Sequence, residues 1–315
     1  MSIKNRSTQI MFIDKLTAEG LFHEPVSTDI AEFEKYRSKI VFGDLSFTAC
    51  YMWMNSMHYR VRTTPHALFI IGIGIDGEMA VYTLFDSDTD PLMKEILLLK
   101  KTFDESGFDF QIECVSESEL EILRTLPFEW QVSFDCDFSD YIYDNTDFIT
   151  LEGKRNKTKR HEYDRFIQRH PAATFTQCDF NDINARRDCE FIFDKWCSYR
   201  NCDECLFGCE KKAFMRLGDI YDSKDHILGL VHENGIPLSF GFGDFISDEC
   251  VFFHTQKNSE HMDGLTYFLH RSMAEQMHPN AEYINWGEDM GLEGIRHNKS
   301  RYHPIELRRK YKVKF

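Results

Sequence analysis

Two apolar, β-rich runs, Ile227 to Glu233 and Pro237 to Phe245, are separated by Asn234-Gly235. Asn-Gly supplies the two positive-φ positions of a tight hairpin turn, so the runs are expected to fold back on each other as strands. Cys250 to Thr255 adds a third strand. Gly264 then opens a helix, Leu265 to Met277, that stops before Pro279, and Ala281 to Trp286 is a last core strand. Upstream, Asp140 to Asp144 and Phe148 to Leu151 precede a basic helix around Lys154 to His170, ended by Pro171. A strand at Thr174 to Cys178 and helices from about Asp182 to Tyr199 and near Lys211 to Tyr221 follow. Strand, two helices, three strands, helix and strand in that order fix an α+β layer rather than an all-helical or all-β fold.

The first half has a similar mixture. Thr28 to Arg37 and Ser46 to Met54 read as helices. His58 to Arg62, Leu68 to Ile73 and Met79 to Phe85 read as strands, with Asp76-Gly77 as a turn. Pro91 to Glu105 is a helix with proline in its first turn, Phe108 to Val115 a strand, and Ser116-x-x-Glu119 a capping box opening the next helix. With 315 residues, about two domains of ~150 residues are expected. The division is placed at 1–139 and 140–315. The hairpin turns fall at different points in the two halves, so no sequence repeat is evident.

Charge is unevenly spread. The chain carries −15 overall, but Lys154 to His170 carries +5 and Arg296 to Phe315 carries +7, leaving −27 on the other 278 residues. An acidic body repels polyanions, and two short segments attract them. The longest strongly apolar run, Ala67 to Ile75, falls well short of the roughly 20 residues of a membrane span. The N-terminus lacks the apolar core of a signal peptide, so a soluble, cytoplasmic protein is expected. Nothing in the sequence supports peripheral membrane contact or fixes an oligomeric state.

Ten cysteines are present, and in a chain without an export signal reduced thiols are the default. Cys197, Cys202, Cys205 and Cys209 crowd together and could furnish four thiolates to zinc or an iron–sulfur cluster. Only Cys202 and Cys205 form a C-x-x-C knuckle, which favours free thiols over a metal site.

The tail after the last strand is the main concentration of chemistry. Trp286-Gly287-Glu288-Asp289-Met290-Gly291 places two carboxylates and two glycines at a strand end, and Arg296 and Lys299 share a face if their segment is helical. There is no P-loop, no dinucleotide glycine fingerprint and no H-E-x-x-H.

Asp140-Tyr141-Ile142-Tyr143-Asp144, the basic run Lys154 to Arg160, and the tail Glu288-Asp289-x-Gly291-x-x-Gly294-Ile295-Arg296 occur here in one order. In this the chain resembles, over nearly its whole length, the bacterial proteins grouped under the C-terminal domain of phosphatidylglycerol lysyltransferase, a domain of unknown function. The resemblance implies a tandem of GNAT-like (acyl-CoA N-acyltransferase) domains, each a mixed, mainly antiparallel sheet flanked by helices. The family is similar to the Fem-type aminoacyltransferases, and its named relative moves an aminoacyl group from tRNA to a lipid head group. An acyl- or aminoacyl-transferase is therefore expected, with acyl-CoA or aminoacyl-tRNA as donor and an amine or hydroxyl as acceptor. The transmembrane half of that relative is lacking, so lipid as acceptor does not follow.

Acyl transfer needs a held donor, a polarised carbonyl and a base. Glu288 and Asp289 are the candidate catalytic carboxylates. Asp263, Gly264 and Leu265, where the second-half helix begins, are the candidate donor loop, and Lys154, Arg160, Arg296 and Lys299 the candidate anion contacts. Glu260 and Asp263 flank that loop, and two acids beside a pyrophosphate are unfavourable. This leaves room for a donor whose ammonium meets them. The alternative is a non-catalytic ligand-binding protein that kept the fold.

Overall fold

The computed structural model describes residues 3–86, 88–199 and 208–315. They form two compact units, one within residues 3–139 with 208 and 309–315, the other within residues 140–199 and 209–308.

The first unit contains helices α1 (Ile3–Ala18), α2 (Ile30–Glu34), α3 (Phe47–Trp53), α4 (Thr89–Glu105) and α5 (Glu117–Leu123), with strands β1 (Arg60–Thr63), β2 (Ala67–Ile73), β3 (Met79–Phe85), β4 (Gln111–Val115) and β5 (Gln131–Phe134). β2 and β3 pair antiparallel across the Asp76-Gly77 turn, in which Gly77 has φ +79°. Every residue of both strands is buried. This suits their continuous apolar runs, which lack the alternation of a strand with one wet face. The capping box of α5 forms as its spacing predicts: Ser116 Oγ accepts from Glu119 N at 3.2 Å, and Glu119 Oε2 accepts from Ser116 N at 2.8 Å.

The second unit contains β6 (Asp140–Asp144), α6 (Asn145–Thr150), α7 (Lys157–Arg169), β7 (Ala173–Cys178), α8 (Ile183–Ser198), α9 (Glu210–Met215), β8 (His226–Glu233), β9 (Ile236–Phe245), β10 (Cys250–Asn258), α10 (Leu265–Gln276), β11 (Tyr283–Asn285), α11 (Glu293–Ser300) and β12 (Glu306–Arg308). Its sheet runs β12-β6-β11-β10-β9-β8-β7, antiparallel everywhere except between β10 and β11. That parallel pair is joined by α10, because parallel neighbours need a crossover rather than a hairpin. The Asn234-Gly235 turn forms with both residues at positive φ. Phe166, Leu265, Leu269, Val251 and Ile284 are fully buried in the core between sheet and helices.

The last strand, β13 (Tyr311–Lys314), returns to the first unit. There it lies between β4 and β5 in a sheet of order β1-β2-β3-β4-β13-β5. The sequence division assigns 309–315 to the second half; strand pairing assigns it to the first. The physical reason is local. Val313 is fully buried in the first core, and Lys312 on the alternate face reaches Glu113 at 2.6 Å and Asp76 at 3.0 Å. Both sheets have one parallel pair bridged by a helix, flanked by antiparallel ladders. The architecture is two GNAT-like α+β units.

Candidate active site

The second sheet opens in its middle. β10 and β11 pair only at Cys250–Tyr283, Val251–Ile284 and Phe252–Asn285. β10 then runs on to Asn258 against β9, while the chain after Asn285 stays with β6: Trp286 N donates to Tyr141 O, and Tyr141 N to Gly287 O, both at 3.0 Å. The two main chains diverge and leave a gap edged by residues 254–258 on one side and 286–289 on the other.

A β-bulge sits where the gap begins. The β10/β9 register shifts between Phe253 and Thr255, so His254 is the extra residue. Its ring is pinned to the neighbouring strand, with Nε2 2.8 Å from Asp244 Oδ1, and lies against the rings of Phe242 and Phe252. The His254 side chain is 2% exposed although the residue as a whole is only half-buried, so the exposed part is main chain. The main chain at this bulge is therefore partly exposed. The sequence signal for it is the broken alternation of Phe252-Phe253-His254, which is legible only once the register is known.

Asp289 is 1% exposed and fully engaged. Oδ2 accepts from Tyr141 Oη at 2.5 Å and Arg296 Nε at 2.8 Å; Oδ1 accepts from Arg296 Nη2 at 2.7 Å and Gly291 N at 2.9 Å. With the Arg296 hydrogen bonds as the main cause, its carboxyl is held down at about 2. Four donors fill its acceptor sites, so it is ionised and poorly placed to take a proton. This geometry makes Asp289 a positioning residue that ties β6 to α11. Glu288 is half-buried, and its carboxylate has an oxygen within 4.8 Å of one of Asp140.

Lys299 is 8% exposed. Its ammonium donates to the carbonyls of Trp286 and Glu288, the latter at 2.6 Å, and lies 5.6 Å from the Tyr141 ring centroid. It clamps the strand-end turn from inside rather than facing an anion. Arg296 and Lys299 do lie on one helix, α11, as their spacing predicts.

Gly264 precedes α10 with φ +84°. A Cβ there would lie 2.8 Å from Glu162 C and from Phe166 Cβ, and closer still to the Glu162 carbonyl oxygen. The close approach that requires glycine is thus to the main chain of α7. Leu265 is buried in the core, and Asp263 is exposed beside His261 at 3.8 Å. Arg160 donates to the carbonyl of Leu151, which has φ +52°, and so caps that turn; Lys154 is exposed.

Lys159 was not singled out by the sequence. It is 3% exposed, donates to Asn156 Oδ1 at 2.6 Å and stands 4.9 Å over the Tyr302 ring. Burial pulls its ammonium down to about 8. The two basic segments do meet: Arg301 reaches Glu162 at 3.1 Å, and His303 Nε2 lies 2.9 Å from Arg155 O. Of the crowded cysteines, Cys202 and Cys205 lie outside the described residues; Cys197 is half-buried and Cys209 exposed. Among the described residues no helix is long and apolar enough to cross a membrane.

The profile of the family described as phosphatidylglycerol lysyltransferase, C-terminal, matches residues 39–314. A conserved protein of unknown function from Bacteroides thetaiotaomicron shares the fold with a TM-score of 0.83 at 24% identity, over 93% of this chain and 99% of that one. L-PGS from Bacillus licheniformis does so at 0.65 and 16%, over 92% of each chain. FemX follows at 0.59 and 10%, over 90% of this chain and 95% of that one. No curated protein matches the sequence.

Proposed function

We propose that this chain, which belongs to the phosphatidylglycerol lysyltransferase C-terminal family, is an aminoacyltransferase. It takes an aminoacyl group from an aminoacyl-tRNA and passes it to an amine or hydroxyl acceptor. The observation that carries the reading is the gap where β10 and β11 diverge, edged by the partly exposed main chain at His254 on one side and by the strand-end turn that carries Glu288 on the other. Family membership and the fold in common with L-PGS and FemX support aminoacyl transfer over other acyl chemistry.

In this reading the acceptor atom attacks the ester carbonyl of the donor. The main chain at His254 stabilises the developing oxyanion, the kind of preorganised dipole that is usually the largest catalytic contribution. Glu288 takes the acceptor's proton and returns it to the departing ribose oxygen. Asp289, Arg296, Tyr141 and Lys299 hold Glu288 in place by fixing the turn from which it projects.

The test is to incubate the protein with tRNA charged with labelled amino acids and a bacterial lipid and metabolite extract, then follow label into a product that is not RNA. Transfer is expected, and Glu288→Gln is expected to slow it about 100-fold or more, the range for loss of a general base. No transfer above spontaneous ester hydrolysis favours the alternative, a non-catalytic ligand-binding protein, for which the closure of Gly264 by α7 speaks.

A further inference from the structure

We infer that the outer face of α7 is the track for the phosphate backbone of the RNA donor, and that the second basic segment, 296–315, is not. The inference rests on the aminoacyl-tRNA reading above and names the surface that reading needs.

The two segments look alike in sequence but not in space. Arg296 is taken by Asp289, Lys299 by main-chain carbonyls, Arg301 by Glu162, and Arg308 by Glu306. Lys310 pairs with Asp44, Lys312 with Glu113 and Asp76, and Lys314 with Glu78; Arg309 lies over the Phe134 ring at 4.9 Å. Each of these cations has a partner within its own unit.

α7 differs. Lys157, His161, Arg165 and Arg169 recur every four residues, a stripe about 18 Å long at 1.5 Å per residue. Lys157, His161 and Arg169 are exposed and Arg165 half-buried, with exposed Lys154 just before the helix. Among the described residues no carboxylate ion-pairs with Lys154, Lys157, Arg165 or Arg169; Arg165 Nη2 instead lies 2.8 Å from His161 Nε2. Asp164 is the one acid exposed on the helix, since half-buried Glu162 is held by Arg301. Open cations on a body of net −15 are expected where a polyanion docks.

The opposite face of α7 explains why the donor's anion is displaced outward. Phe166 is fully buried and packs on Phe268 at 5.2 Å, and the Glu162 main chain closes over Gly264. Gly264 and Leu265, at the start of α10 where a pyrophosphate would otherwise be expected, are buried, with Gly264 against α7. A membrane surface fits less well than RNA. A helix lying in a bilayer interface buries an apolar face, and Ile167, 40% exposed, is the one large hydrophobic side chain on the outer face of α7.

The test compares the wild type with Lys157→Gln/Arg165→Gln/Arg169→Gln, using a mixed aminoacyl-tRNA pool between 50 and 200 mM salt. Lys101→Gln, an exposed cation of α4, serves as control. Each phosphate contact contributes about one to the slope of log K against log salt, so the triple variant is expected to lose about three, and the control none. Equal slopes and affinities in wild type and triple variant would overturn the α7 assignment while leaving tRNA binding intact. No tRNA binding by the wild type would overturn both. Phosphatidylglycerol vesicles form the second arm: binding to vesicles but not RNA, lost in the triple variant, would reassign the stripe to a membrane and overturn the inference.

Discussion

His270 and His278 are 2% and 1% exposed, in the apolar interior of the second unit. His270 Nδ1 lies 3.0 Å from Tyr302 Oη, while among the described residues His270 Nε2 and both ring nitrogens of His278 have no hydrogen-bond partner. The Phe253 ring packs on both, at 5.8 and 5.6 Å. Burial, with the neighbouring His278 adding to it for His270, pulls their protonation down to about 3 and about 4. Both are neutral in the folded protein. In the unfolded chain they protonate near pH 6.5. The folded pKa is the lower one, so the penalty is absent above pH 6.5 and grows as pH falls towards 4. One pH unit is worth about 1.36 kcal/mol per ring, so at pH 5 each histidine costs about 2 kcal/mol and the pair about 4. His278→Leu removes one ring without breaking a side-chain hydrogen bond. Urea unfolding followed by tryptophan fluorescence is a suitable assay, since Trp286 lies 4.8 Å from the His270 ring. The stability lost by wild type between pH 7.5 and pH 5 is expected to exceed that lost by His278→Leu by about 2 kcal/mol. Equal losses in the two proteins would refute the argument.

Three further outcomes are expected. Gly264→Ala forces a side chain into positive φ and into the α7 backbone, so urea unfolding should show destabilisation of about 3 kcal/mol, whereas Gly294→Ala in α11 meets nothing within 4 Å and should be neutral or up to about 1 kcal/mol stabilising. Asp289→Ala leaves Tyr141 and Arg296 without their acceptor; because Arg296 is 44% exposed and can rehydrate, the loss should be about 2–3 kcal/mol, below that of a fully buried pair. Lys299→Met removes the clamp on the Trp286 and Glu288 carbonyls, so label transfer should fall while the salt slope of RNA binding stays unchanged; a lower slope would restore Lys299 as an anion contact.

Much of the fold was legible because its signals are local. Asn234-Gly235, Asp76-Gly77 and the Ser116-Glu119 box each fix a turn or a helix start within four residues. β13 was not legible, because the alternation of Tyr311 to Lys314 says that a strand forms but not which sheet will accept it; Val313 and the carboxylates around Lys312 decide that over long range. The same limit applies at the site. The sequence shows that Asp289, Arg296 and Lys299 are charged and near one another, and Arg296 and Lys299 do share α11. It does not show that these charges satisfy each other and the turn, which turns them from reactive groups into supports. Gly264 lies against the main chain of Glu162, a contact across the fold that the residues beside it in sequence do not show. His254 and Lys159 are not legible in the sequence, because their roles depend on a register shift and on burial under Tyr302.

The central claim, that the donor is an aminoacyl-tRNA rather than an acyl-CoA, is tested most directly by titrating the wild-type protein with a mixed aminoacyl-tRNA pool and, separately, with acetyl-CoA at moderate salt. Saturable tRNA binding that weakens steeply with salt, and no binding of acetyl-CoA, is the predicted result. Saturable binding of acetyl-CoA without tRNA binding would contradict it, since the start of α10 would then be open to a pyrophosphate despite α7.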